Sequence, residues 1–222
     1  MNACLTNVSS SKYHIQILDE QSADYSVIHA AFFNSMGGFT DPEYPHKTFK
    51  IEKVYRVVEN FTLRSSQDQD CGTVLLFHGT KAKNVDSILQ HGWRPSTSGC
   101  FGPGVYHSSL SSKCYKYAKN YSGNNDYYFF VNQVPLKYLS IEPSNVNMDD
   151  YTAGVRRATF LEKRTSVDCK PEQFSYDSSG SYINVGVYNG GEKPEYIASD
   201  NIVVAKYLVH VTRSSIVNQQ LR

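Results

Sequence analysis

The apolar runs of this chain are short, numerous and rich in strand-forming residues, and that pattern limits the fold more than any other feature. Thr73 to Phe77 (TVLLF) is apolar and β-branched with no turn former inside it, as a buried strand requires. Lys50 to Val58 alternates as a strand does, and further strands are predicted over Tyr127 to Val134, in parts of 155–163 and over 181–188. EYIAS and VVAKYLVHV read as two closing strands around a turn at Asp200-Asn201. Helical spacing occurs in three places. Ala23 to Met36 aligns Ile28, Ala31 and Phe32 before Gly37-Gly38; a second segment runs from Asn84 to Leu89 before Gly92; a third covers Ser111 to Asn120. Many short strands with few helices predict an α+β fold built on mainly antiparallel sheets. Residues 1–20 are polar and read as a flexible N-terminal arm, leaving 21–222 as a single domain.

Bulk properties narrow the function classes. With 222 residues and 40% hydrophobic content the chain can bury one sizeable core. A formal net charge of +1, without a cluster of Lys or Arg, gives no reason to expect strong binding to nucleic acid or to an anionic membrane. No apolar stretch approaches the length of a membrane span. The five cysteines (Cys4, Cys71, Cys100, Cys114, Cys169) are scattered and form no metal-binding spacing, so they read as reduced thiols and no metal is expected. The first residues lack the basic and apolar regions of a signal peptide, and an intracellular protein, cytoplasmic or nuclear, is expected. The seventeen tyrosines suit sheets and ligand-stacking sites.

Three segments carry residue types that do chemistry. His78-Gly79-Thr80 stands where the first clear strand gives way to a helix, with a glycine that lets a backbone approach something closely. Gly102-Pro103-Gly104-Val105-Tyr106 leads on to Ser112-Lys113-Cys114 and Tyr117. Pro194-Glu195-Tyr196-Ile197 precedes the last strand. Singly, each has an ordinary structural reading: a satisfied histidine, a turn, a solvated carboxylate. The G-x-G is no dinucleotide-binding fingerprint, because it precedes a strand rather than a helix.

In their order and local context, the three segments resemble the His-Tyr-Glu class of ADP-ribosyltransferases, which contains the poly(ADP-ribose) polymerases and diphtheria toxin. The resemblance spans roughly Lys50 to Val211 and rests on H-G-T, Asn84, G-x-G-V-Y, S-K-x-x-x-Y, E-Y-I and the final K-Y-L-V. A weaker likeness over Phe32 to Leu63 is to the segment preceding the catalytic core in mono-ADP-ribosylating members. The resemblance implies the ADP-ribosyltransferase fold, two packed sheets with a few flanking helices, over 21–222. It also implies NAD+ as co-substrate.

By that resemblance His78, Tyr106 and Glu195 are the catalytic triad. His78 is expected to hydrogen-bond the ribose hydroxyls and Gly79 to clamp the nicotinamide carboxamide through its N–H and C=O. Tyr106 and Tyr117 would stack on the nicotinamide ring. Thr80, Asn84 and Arg94 complete the NAD+ contacts, the last two on the adenosine half. Glu195 would bond the nicotinamide-ribose 2′-hydroxyl and stabilise the cationic sugar centre. Cys114 stands where the polymerases usually carry a serine that bonds the carboxamide, and a thiol is the weaker donor.

The expected activity is transfer of ADP-ribose from NAD+ to an acceptor, with mono-transfer or short oligomers favoured over long polymer. Protein, including the chain itself, is the favoured acceptor; a nucleic-acid end stays open, and no membrane partner is expected. The alternative is a weakly active or inactive module that binds NAD+ or ADP-ribose. An RNA 2′-phosphotransferase fits poorly, since G-x-G-V-Y and E-Y-I have no place in it.

Overall fold

The computed structural model describes residues 11–37, 47–60, 73–97, 103–119, 125–135, 140–141, 174–185, 196–198, 200 and 202–215. Among them run strands β1 (Tyr13–Ile17), β2 (Lys47–Glu59), β3 (Thr73–Thr80), β4 (Val105–His107), β5 (Asp126–Pro135), β6 (Ser140–Ile141), β7 (Phe174–Tyr176), β8 (Tyr182–Asn184), β9 (Tyr196–Ala198) and β10 (Val204–Ser215). The helices are α1 (Ala23–Met36), α2 (Ala82–His91) and α3 (Ser111–Ala118). One sheet has the order β1-β2-β10-β5-β3-β8-β7 and a smaller one the order β4-β9-β6. The five strands from β1 to β3 are antiparallel, whereas β3 and β8 pair in parallel at Val74↔Tyr182. The expected α+β architecture with two sheets is thus the observed one.

Two-residue alternation divides the large sheet into faces. Leu75, Phe77, Phe129, Val131, Tyr207 and Val209 form one cluster with Ile28, Ala31 and Phe32 of α1 and with Cys114, Tyr115 and Ala118 of α3. Val74, Leu76, Phe130, Val134 and Leu208 belong to the other, with Val85 and Leu89 of α2, Trp93, and Val105, Tyr196 and Ala198 of the small sheet. Phe32 meets Phe77 and Phe129 edge-on at 6.1 and 5.1 Å between ring centroids. Truncating so central a ring typically costs about 3–5 kcal/mol.

Local chemistry explains where α1 begins and stops. The Ser22 hydroxyl accepts from the Tyr25 N–H at 3.2 Å, and Gly37 (φ 55°) returns its N–H to the Phe33 carbonyl. Its first turn is pinned to the sheet. Asp24 accepts from Arg56 at 2.6 Å, from the hydroxyl and N–H of Ser178, and from Tyr207. Burial alone would raise the Asp24 pKa; the Ser178, Tyr207 and Arg56 contacts together hold it below the usual carboxylate value.

Several expectations need adjustment. Tyr13–Ile17, read as part of a loose arm, form β1, with Tyr13 buried and paired to Glu59. Residues 1–10 lie outside the described residues, as do 155–163. The strand expected to end at Phe77 continues through Thr80, because His78, Gly79 and Thr80 pair with Phe130, Phe129 and Tyr128 of β5. Of the cysteines only Cys114 is described, and it is a buried thiol outside any disulfide.

Candidate active site

The site is built where β3 parts from the small sheet. Phe77 and Ser108 exchange backbone bonds at 2.8 and 2.9 Å, so both polar groups of Phe77 point away from β5. Successive residues of a strand alternate in this respect. The N–H and C=O of Gly79 therefore face the same edge as those of Phe77, one step beyond the bridge, where no described strand pairs with β3. A donor and an acceptor side by side on a strand edge match the two polar groups of a primary carboxamide.

Gly79 is glycine for a reason that local sequence does not show. A Cβ there would stand 2.0 Å from the Cys114 carbonyl oxygen and 3.2 Å from the Ala118 nitrogen. Helix α3 lies directly on the strand, which puts Tyr117, beside Ala118, close to the glycine edge. Tyr117 is 49% exposed, and the Lys116 ammonium lies over its ring, 4.8 Å from the centroid. Cys114 is buried, and its thiol donates to the Phe77 carbonyl at 3.2 Å.

His78 points to the opposite face of β3 and is half-buried. Its Nδ1 lies 2.8 Å from the Tyr106 carbonyl oxygen. A carbonyl only accepts, so the proton is on Nδ1 and the Nε2 lone pair is left for a hydroxyl donor. Burial pushes the His78 pKa below its ordinary value, with the Tyr106 carbonyl partly opposing, so the ring is neutral near pH 7. The Trp93 ring packs edge-on at 4.8 Å between centroids, and Trp93 in turn rests on Phe130 at 5.2 Å.

Strand β4 brings in Tyr106, the second residue of the expected triad. Tyr106 is half-buried and pairs with Ile197 of β9, while His107 pairs with Tyr196. Glu195 adjoins Tyr196 in the chain but lies outside the described residues, as does Gly102. Thr80 is buried and its hydroxyl accepts from the Asn84 amide at 3.4 Å. Arg94 is exposed and follows Trp93. The structure thus gathers His78, Gly79, Tyr106, Cys114 and Tyr117 around one strand end, with Thr80 and Asn84 linked on the adjoining turn of α2.

Sequence reasoning missed three residues at this place. Trp93, His107 and Asn132 form a buried group behind His78. The His107 pKa is pushed down to about 3 by burial and, secondarily, by the neighbouring His78. No local signal marks them, since His107 meets Asn132 only through the packing of β4 on β5. A separate cleft of about 340 Å³, lined by Arg56, Gln133, Asp177, Ser179, Lys206 and Tyr207, contains none of the expected site residues.

The family model of the poly(ADP-ribose) polymerase catalytic domain matches residues 22–213. No curated protein matches the chain. The match covers most of the sequence and includes β3, α2, β4, α3 and the closing strands that frame the site. The chain therefore belongs to the poly(ADP-ribose) polymerase catalytic-domain family, whose members are NAD+-dependent ADP-ribosyltransferases.

Proposed function

We propose that the protein cleaves the nicotinamide–ribose bond of NAD+ and transfers one ADP-ribose, or a short oligomer, to a protein acceptor that can be the chain itself. The observation that carries this reading is the β3 edge at Gly79, which no described strand pairs, flanked by the neutral His78 on one side and the exposed Tyr117 on the other. The Gly79 N–H and C=O would hold the carboxamide, with Tyr106 and Tyr117 stacking on the ring. The Nε2 of His78 would accept from a ribose hydroxyl. Thr80, Asn84 and Arg94 would serve the remainder of NAD+, and Glu195 would bond the nicotinamide-ribose 2′-hydroxyl.

In the reaction the C–N bond to nicotinamide breaks with its electron pair leaving on the ring nitrogen. The sugar carbon becomes cationic, and a nearby carboxylate stabilises charge that exists only in that state. The acceptor nucleophile then bonds to the sugar carbon and loses its proton. A glutamate at the third triad position supports activity, and the segments RPSTSG and NGGEKP leave acceptor preference open. We place the protein inside the cell, where its cysteines remain thiols.

The test is reaction of the full chain with labelled NAD+ in a cell lysate, followed by mass spectrometry of the labelled products. Single ADP-ribose units on protein side chains support the reading. Long polymers would revise the chain length, and label on nucleic-acid ends would replace the acceptor. NAD+ binding without nicotinamide release would leave only the binding-module alternative.

A further inference from the structure

His107 is 2% exposed and Asn132 is fully buried, yet both are polar in a wall otherwise made by Leu76, Val105, Phe130 and Val134. Asn132 donates its amide to Nε2 of His107 at 3.0 Å, while its own Oδ1 has no hydrogen-bond partner among the described residues. Burial of an unsatisfied carbonyl opposes folding, and a pair of apolar side chains of similar shape would fill this space without that loss. Stability therefore does not account for the pair.

Its location does. His107 is on β4 and Asn132 on the centre of β5, so their bond ties the small sheet to the large one. The residue before His107 is Tyr106, whose carbonyl orients His78. The residue opposite His107 is Tyr196, the first of β9. The His107 ring also stands 6.0 Å from that of His78 and 6.4 Å from that of Trp93. A hydrogen bond fixes relative position far more sharply than apolar contact does.

We propose that His107 and Asn132 are positioning residues, whose imidazole–amide bond sets β4 against β5 and so places Tyr106 and His78 for NAD+. The inference rests on the assignment of His78 and Tyr106 to NAD+. Small errors of placement at a reacting centre can reduce rates about 10²-fold, and partial loosening here is expected to lower kcat/KM roughly tenfold.

The test uses His107→Phe, Asn132→Leu, the double variant and His107→Gln, with His78→Ala as reference and nicotinamide release from NAD+ as the assay. Each apolar single variant is expected to lower kcat/KM about tenfold, mainly through KM for NAD+, because the affected groups hold NAD+ itself. The double variant should be no worse than either single one, since both remove the same bond. His107→Gln supplies an acceptor oxygen near the Nε2 position and should recover kcat/KM to within about threefold of the parent. A purely structural pair would move thermal stability and leave KM unchanged. Folded single variants with parental kcat/KM, or losses that add in the double variant, overturn the proposal. If His107→Phe fails to fold, Asn132→Leu and His107→Gln decide by the same criteria. Parental activity in His78→Ala would instead overturn the assignment of His78, a failure that this set separates from that of the pair.

Discussion

The carbonyl oxygen of Cys114 lies 2.0 Å from where a Cβ on Gly79 would stand. Such an approach is possible only because Gly79 has no side chain, and it brings helix α3 onto β3 beside the strand edge that no described strand pairs. The same glycine thus meets two demands, helix packing on one face and, along the edge, backbone groups that no described strand pairs.

Gly79→Ala should therefore damage both stability and activity. The neighbouring atom is backbone and cannot rotate away, so α3 has to shift. Overpacking of this kind typically costs about 1–3 kcal/mol. Thermal melting should show the loss, and titration with nicotinamide should show weakened binding as Tyr117 moves with the helix. An alanine variant with parental melting temperature and affinity would remove the close contact from the account.

The buried histidine makes stability depend on acid. In the unfolded chain His107 takes up a proton as pH falls through 6.5, whereas in the folded protein it stays neutral until about pH 3. The unfolded state thus binds more protons in this window, and stability, complete above pH 6.5, is lost as pH falls. The slope is about 1.4 kcal/mol per pH unit for one such group. His78, also held below its ordinary value by burial, acts in the same direction. Urea unfolding between pH 7.5 and 5 should show the parent losing stability more steeply than His107→Gln, by about one proton. Equal slopes would show that His107 titrates in the folded state.

Cys114→Ser gives a sharper outcome than the motif alone would suggest. By resemblance the hydroxyl should return a donor to the carboxamide, yet the thiol already donates to the Phe77 carbonyl. A serine hydroxyl in the same place inherits that acceptor. Isothermal titration should find nicotinamide affinity changed by less than about twofold, well under the effect of a full neutral hydrogen bond. A gain of several-fold would mean that the hydroxyl leaves Phe77 for the ligand.

Much of this arrangement was legible in the sequence, for identifiable reasons. The boundaries of α1 follow from Ser22 and Gly37, and the end of α2 from Gly92, all local effects. The H-G-T and G-x-G-V-Y segments meet at one end of β3, where His78 contacts the Tyr106 carbonyl, whereas Glu195 lies outside the described residues. β1 is hard to read because its alternation covers only five residues within a polar stretch, and its last apolar residue, Ile17, is 68% exposed. The extension of β3 through Thr80 is imposed by pairing with β5, which overrides a glycine's weak preference for strands. Trp93, His107 and Asn132 become a group only in three dimensions.

The central claim is that this site breaks NAD+ by stabilising charge that develops as nicotinamide leaves. Glu195→Gln tests it most directly, because the change keeps shape and removes only the carboxylate charge. Nicotinamide release and the mass of the protein should be followed after addition of NAD+, with NAD+ affinity measured separately. The parent should release nicotinamide and gain ADP-ribose. The variant should bind NAD+ with similar affinity and turn over about 10²–10³ times more slowly, as expected for loss of one preorganised electrostatic partner. Equal turnover by the two proteins, or a parent that binds NAD+ and releases no nicotinamide, would contradict the account.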